Sequence, residues 1–117
     1  MIRAVWNGVV LAEAARTVRL EGNDYFPAAA LRRQFFTDSS VTSHCPWKGT
    51  AHYYTVTVDG HVNAEAGWYY PSPHPRAQQI KDHVAFWNGV RIEADDEELD
   101  NGAGVARRLR SWLRGTR

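Results

Sequence analysis

One stretch, His44-Cys45-Pro46-Trp47-Lys48-Gly49-Thr50-Ala51, gathers the chain's single cysteine with a proline, a tryptophan, a lysine and a glycine. Cys45 and Lys48 are the candidate catalytic residues. His44 and Lys48 are neighbours able to lower the pKa of the Cys45 thiol and favour the nucleophilic thiolate. A buried, inert cysteine is the alternative, because free Cys is among the most buried residue types. Adjacent strand residues point to opposite faces, so His44 need not meet Cys45, and His52 or His83 would then have to serve as base. Lys48 before Gly49 has the form of a turn that holds a cation near exposed backbone N–H groups, suited to a carboxylate or a phosphate. A solvated turn lysine is the alternative.

Around this motif stand the candidate ligand-binding residues Glu21, Tyr25, Trp47, Lys48, His52, Trp68 and Tyr70. Glu21-Gly22-Asn23-Asp24-Tyr25 offers a carboxylate that would tune the protonation of Lys48 if the two face each other, although Gly22-Asn23 also reads as plain turn chemistry. Tyr25, Phe26, Trp47, Tyr53, Trp68, Tyr69 and Tyr70 form a heavy aromatic set for a small domain. Most of it must be core. On a strand, however, Trp68 and Tyr70 share a face and Tyr69 takes the other, so one set could line a cleft, with Pro71-Ser72-Pro73-His74-Pro75 as a stiff rim.

Strands are the elements that must position these groups. Asn7-Gly8, Asp59-Gly60 and Asn88-Gly89 tolerate the positive φ values of a two-residue type I′ turn, and each lies between β-favouring runs. They predict hairpins joining Ile2 to Trp6 with Val9 to Ala14, Tyr53 to Val58 with His61 to Ala64, and Val84 to Trp87 with Val90 to Glu93. A further strand is expected over Thr17 to Leu20. Ala4, Trp6, Asn7, Gly8 and Val9 match Ala85, Trp87, Asn88, Gly89 and Val90 at a constant offset. The match is either two independent Asn-Gly hairpins or equivalent ribbons that pair to close the sheet.

Helix is minor. Proline at a first helical position predicts a turn or two over Pro27 to Arg33 and again over Pro75 to Ile80. Beyond the acidic run Asp95-Asp96-Glu97-Glu98, Val105, Ala106, Leu109, Trp112 and Leu113 recur at helical spacing among arginines, which predicts an amphipathic C-terminal helix. The expected organisation is a β-rich domain over 1–94, followed by an acidic linker and a packed helix over 95–117.

Composition bounds the function. At 117 residues the chain has the length of one domain with its own core. Fourteen Lys and Arg against thirteen Asp and Glu leave a net charge of +1, far from the basic footprint of a nucleic-acid binder. A lone cysteine forms no internal disulfide and points to a reducing, cytoplasmic setting. No run approaches the length of a membrane span, and the N-terminus carries no signal-peptide core.

The motifs also support a family assignment. Glu21-Gly22-Asn23-Asp24-Tyr25-Phe26-Pro27, Thr42-Ser43-His44-Cys45-Pro46-Trp47-Lys48-Gly49-Thr50-Ala51-His52-Tyr53, Trp68-Tyr69-Tyr70-Pro71-Ser72-Pro73 and Val84-Ala85-Phe86 make the chain resemble the proteins catalogued as domain of unknown function 427, up to about residue 94. The resemblance implies a β-tent type of fold, mainly β, with two antiparallel sheets leaning together. Gly67-Trp68-Tyr69-Tyr70 and Trp87 depart mildly from the family pattern, and the C-terminal helix lies outside it. Relatives of that fold commonly hold zinc with paired Cys-x-x-Cys knuckles, and the solitary Cys45 excludes such a site here. No metal and no cofactor are therefore expected. A nucleotidyltransferase-like label attached to the family finds no support, because no Gly-Ser followed by paired Asp residues is present to hold two metals.

Three functions stay open. The first is a domain binding a small polar or anionic molecule in an aromatic-lined pocket around the motif. The second is an enzyme with Cys45 as nucleophile or redox thiol and Lys48 as anion partner. The third is an interaction module for protein or nucleic acid, using Arg107, Arg108 and Arg110 of the C-terminal helix. The partner is an unidentified small molecule on the first of these, and no oligomeric state is assigned.

Overall fold

The computed structural model describes residues 1–94. The acidic run and the amphipathic segment Ala103 to Leu113 lie outside the described residues. The described residues form nine strands: β1 (Ile2–Trp6), β2 (Val9–Ala14), β3 (Val18–Leu20), β4 (Asn23–Pro27), β5 (Phe36–Cys45), β6 (Gly49–Val58), β7 (His61–Tyr69), β8 (His83–Phe86) and β9 (Arg91–Ala94). They form two antiparallel sheets, one ordered β2-β1-β9 and one ordered β3-β4-β8-β7-β6-β5. The domain is mainly β, as the turn chemistry requires.

Two of the three expected hairpins form. Trp6 pairs with Val9 around Asn7-Gly8, and Val58 pairs with His61 around Asp59-Gly60. The third is corrected. Asn88 and Gly89 do adopt φ values of 55° and 86°, and the Val90 amide closes the turn on the Trp87 carbonyl at 3.2 Å. Yet β8 and β9 separate into different sheets. Both edges of β8 are already taken, by β4 and β7, so β9 can only pair elsewhere and joins β1. The Asn88-Gly89 turn is thus a corner linking the sheets. The two similar Asn-Gly segments are therefore not equivalent ribbons.

Among the described residues, helical structure is limited to 3₁₀ turns at Ala28–Ala30, Arg33–Phe35 and Pro75–Ile80. The Pro27 segment does not continue as a helix because Leu31 is extended, buried and bridged to Ala12. Two strands, β4 and β5, fall where no strand was expected, and β7 runs on to Tyr69. It passes through an irregularity at which Glu65 takes a positive φ of 51°.

The large sheet has two working faces. Its inner face packs Phe26, Val56, Ala66, Val84 and Phe86 against Ala4, Leu11 and Ala12 of the small sheet. Phe86 is the hub, with ring centroids 5.7 Å from Phe26 and 6.1 Å from Phe36. Its outer face carries Tyr25, Ala51, Tyr70 and Ala85, covered by Ala77 and Ile80 of the last 3₁₀ segment. One residue along a strand changes the face, which is why Tyr25 and Phe26, both fully buried, belong to different clusters.

Phe26 occupies the centre of the inner core. Phe26→Ala should cost about 3–5 kcal/mol in urea unfolding, with no change in the slope of the transition.

Candidate functional site

Two turns of the large sheet bring their side chains together on its outer face. Leu20 pairs with Asn23, which leaves Glu21-Gly22 as a two-residue connection with φ values of 54° and 80°. That is type I′ geometry, where Asn or Gly is favoured and Glu is not. Cys45 pairs with Gly49 and encloses Pro46-Trp47-Lys48 as the β5–β6 turn. Gly49 has φ of 115°, and a Cβ there would lie 3.3 Å from the Ser72 carbonyl oxygen. The rim loop is sewn to this turn by the His74 amide donating to the Lys48 carbonyl at 3.0 Å, and to itself by Gln78 Nε2 donating to the Pro73 carbonyl at 2.6 Å.

The turns deliver opposite charges to one point. Lys48 Nζ donates to Glu21 Oε1, and Trp47 Nε1 donates to Glu21 Oε2 at 3.2 Å. The lysine ammonium also lies 5.7 Å from the Trp47 ring centroid and 5.5 Å from that of Tyr70, within cation–π range. Behind it, Trp68 Nε1 donates to the Tyr25 hydroxyl at 3.2 Å, with the two rings edge to face at 6.2 Å. Glu21, Tyr25, Trp47, Lys48, Trp68 and Tyr70 are thereby brought into one cluster, and Cys45 packs beside it, half-buried.

Burial is asymmetric. The Lys48 side chain is 10% exposed and that of Glu21 46%. Burial pulls the Lys48 pKa down, but the Glu21 hydrogen bond and the nearby Tyr25 and Tyr70 phenols outweigh it, and the pKa ends above the ordinary 10.5. The Lys48 hydrogen bond holds Glu21 below its ordinary 4.5, against a smaller opposing effect of burial. Burial pushes the phenols of Tyr25 and Tyr70 up. Lys48 is therefore held as an ammonium in its contact with Glu21.

The histidines fall elsewhere. Pairing of His44 with Thr50 and of Thr42 with His52 sets both on the face opposite Ser43, Cys45, Ala51 and Tyr53. His52 lies instead against Tyr69, with ring centroids 5.8 Å apart, and the Tyr69 and Tyr54 rings stack at 4.8 Å. His83 Nδ1 is bonded to the Lys81 carbonyl at 2.7 Å. Two aromatics not included among the site residues share the outer face. Tyr53 holds the Ser43 hydroxyl at 2.8 Å, and Trp87 lies 5.8 Å from Trp68 and 6.4 Å from Tyr53. The signal for both was the alternation of Ala51 with Tyr53 and of Ala85 with Trp87.

A family model described as Domain of unknown function (DUF427) matches residues 1–99. The chain belongs to that family. No curated protein matches it.

In this DUF427 member a cavity of about 330 Å³ opens between the β3–β4 turn and the β8–β9 corner, lined among others by Gly22, Asp24, Trp87, Asn88 and Ile92. No residue of the Cys-Pro-Trp-Lys-Gly motif lines it. The Asp24 carboxylate accepts from Thr17 Oγ1 at 2.9 Å and from Arg19 Nη1 at 3.1 Å. Among the described residues no group of three or more His, Cys, Asp or Glu could hold a metal ion, and no helix is long and apolar enough to cross a membrane.

Two outcomes follow from the turn geometry. Gly49→Ala should cost about 2 kcal/mol or more, since it meets both a left-handed φ and fixed backbone; chemical denaturation measures this. The Glu21–Lys48 contribution has a pH window with two edges. A carboxylate with lowered pKa stabilises above its unfolded value of about 4.5 and loses this as pH falls through the folded pKa. A lysine with raised pKa stabilises below about 10.5 and loses this as pH rises through the folded pKa. The melting-temperature gap between wild type and Glu21→Gln should be flat between those limits and narrow beyond either.

Proposed function

We propose that the domain binds a small polar or anionic molecule on the outer face of its large sheet, with Lys48 as the charge partner and the surrounding rings as the apolar wall. One observation carries this: a buried lysine held as a cation between the rings of Trp47 and Tyr70. A buried ammonium is costly to maintain and contributes little to stability over an apolar side chain of similar volume. Its value lies in what it attracts. Trp68, half-buried, extends the wall and is braced by the fully buried Tyr25 behind it, as in ordinary small-molecule sites, where aromatic lining surrounds a few placed polar groups. The reading assigns the protein to the cytoplasm, which the lone cysteine supports.

A second reading, Cys45 as a thiol nucleophile, is supported by its partial exposure beside the same cluster. Its sequence neighbours His44 and His52 do not serve as its base, since both take the opposite face. Alkylation by iodoacetamide separates the two. Slow native alkylation that becomes ordinary after unfolding favours binding, and fast native alkylation favours the enzyme.

The binding reading predicts saturable fluorescence enhancement of anilinonaphthalene sulfonate, a flat anionic probe, by the native domain. Lys48→Met should weaken it about tenfold or more, as expected for loss of a charge-assisted contact. Equal binding by the two proteins sinks the reading.

A further inference from the structure

Lys48 and Glu21 are not equal partners in their ion pair. The cation is built in: it is buried, lies between two ring faces, and belongs to a turn whose backbone is bonded to the rim loop. The anion arrives from outside, on a side chain nearly half exposed, at a left-handed position that glutamate does not favour. Removing Glu21 would leave a buried, uncompensated charge, which costs several kcal/mol unless another anion takes its place.

Geometry specifies the anion. Two donors address the two oxygens of one planar group: Lys48 Nζ meets Oε1, and Trp47 Nε1 meets Oε2. We infer that Lys48 and Trp47 form a two-donor clamp for a carboxylate, which Glu21 of the same chain fills until the carboxylate of a small aromatic or apolar acid displaces it. This rests on the binding reading above and names its ligand class. A single cation balances a monoanion, and a planar carboxylate presents two oxygens to two donors. A phosphate monoester brings a third oxygen and up to a second charge that neither donor meets. The aromatic wall behind the clamp favours a flat or apolar body over a second charged group.

Because Glu21 competes for its own site, the apparent affinity for an external carboxylate is reduced by the fraction of molecules in which the clamp is open. The test is an indole N–H titration by NMR, using the Trp47 resonance identified with Trp47→Phe. The ligands are benzoate, benzamide and phenyl phosphate, which share one ring and differ in the head group. Two variants remove the carboxylate. Glu21→Gln keeps the size, and Glu21→Asn supplies the Asn-Gly pair that a type I′ turn prefers, so the hairpin is retained.

Benzoate should move the Trp47 resonance saturably and bind both variants about tenfold more tightly than wild type. Benzamide should bind weakly to all three proteins, and Lys48→Met should abolish the benzoate shift. Unchanged benzoate affinity in both Glu21 variants overturns the clamp. Phenyl phosphate or benzamide matching benzoate overturns the carboxylate class. If benzoate fails while anilinonaphthalene sulfonate still binds in a Lys48-dependent way, the clamp falls and the binding reading stands. If both probes fail, both fall.

Discussion

A protonated lysine largely withdrawn from bulk water is the constraint on which this site depends. In water an ammonium is solvated on all sides, and on the outer face of the large sheet those contacts have to be replaced. Lys48 gains one carboxylate, two ring faces and the partial charges of two nearby phenols. Apart from the ring of the adjacent Trp47, these come from other elements. Glu21 comes from the β3–β4 turn, Tyr70 from the end of β7 and Tyr25 from β4, so the ammonium acts as a cross-link among elements distant in sequence. The backbone is stitched at the same place: the His74 amide holds the Lys48 carbonyl, and a Cβ on Gly49 would crowd the Ser72 carbonyl oxygen. The motif is rigid because both its charge and its main chain are tied down.

The sheet lets a small domain build a core and a site from the same strands. Alternation sends Phe26, Val84 and Phe86 inward and Tyr25, Ala85 and Trp68 outward. Packing on one face then fixes the direction of side chains on the other. Tyr25 is held by Trp68 on one side and follows the position of Phe26 on the other, so the inner core sets the depth of the cluster at which Lys48 sits. The small sheet packs on the inner face, opposite the site. Its part is to complete the inner core and keep the large sheet in place.

Local signals in the sequence were strong where backbone conformation is a local matter. Asn7-Gly8 and Asp59-Gly60 need positive φ and flank alternating runs, and both form hairpins. Asn88-Gly89 carries the same signal and the same φ values, yet its arms part, because pairing depends on which sheet edges are already occupied and no dipeptide records that. Strand β5 was illegible for a different reason. It is an edge strand with Thr, Asp, Ser and His along an exposed surface, so it has no apolar face to alternate. Its pairing with β6 is interrupted between Asp38 and Thr42, a common way of blunting an exposed edge. The site was partly legible: the cluster of Glu21, Tyr25, Trp47, Lys48, Trp68 and Tyr70 follows from motif chemistry plus alternation. His52 is one residue from Ala51 and Tyr53, and strand parity alone sends it to the other face.

The left-handed residues distinguish structural from chemical demand. Asn7, Asp59, Asp82 and Asn88 adopt positive φ as side chains that tolerate it, and need no further account. Glu21 and Glu65 adopt it without that tolerance, at φ of 54° and 51°, and each has a carboxylate engaged elsewhere. Glu65 Oε2 accepts from the Ser39 hydroxyl at 2.8 Å, tying the irregular part of β7 to the interrupted part of β5. A neutral hydroxyl partner and a role between two irregular strands mark that glutamate as a staple. Glu21 meets an ammonium and an indole N–H at the sheet's outer face, and its own turn would form at least as well with asparagine. The conformational cost at position 21 is offset only by the contact with Lys48 and Trp47. A turn residue selected against its backbone preference and in favour of one charged contact indicates that the contact, and not the turn, is what this position serves.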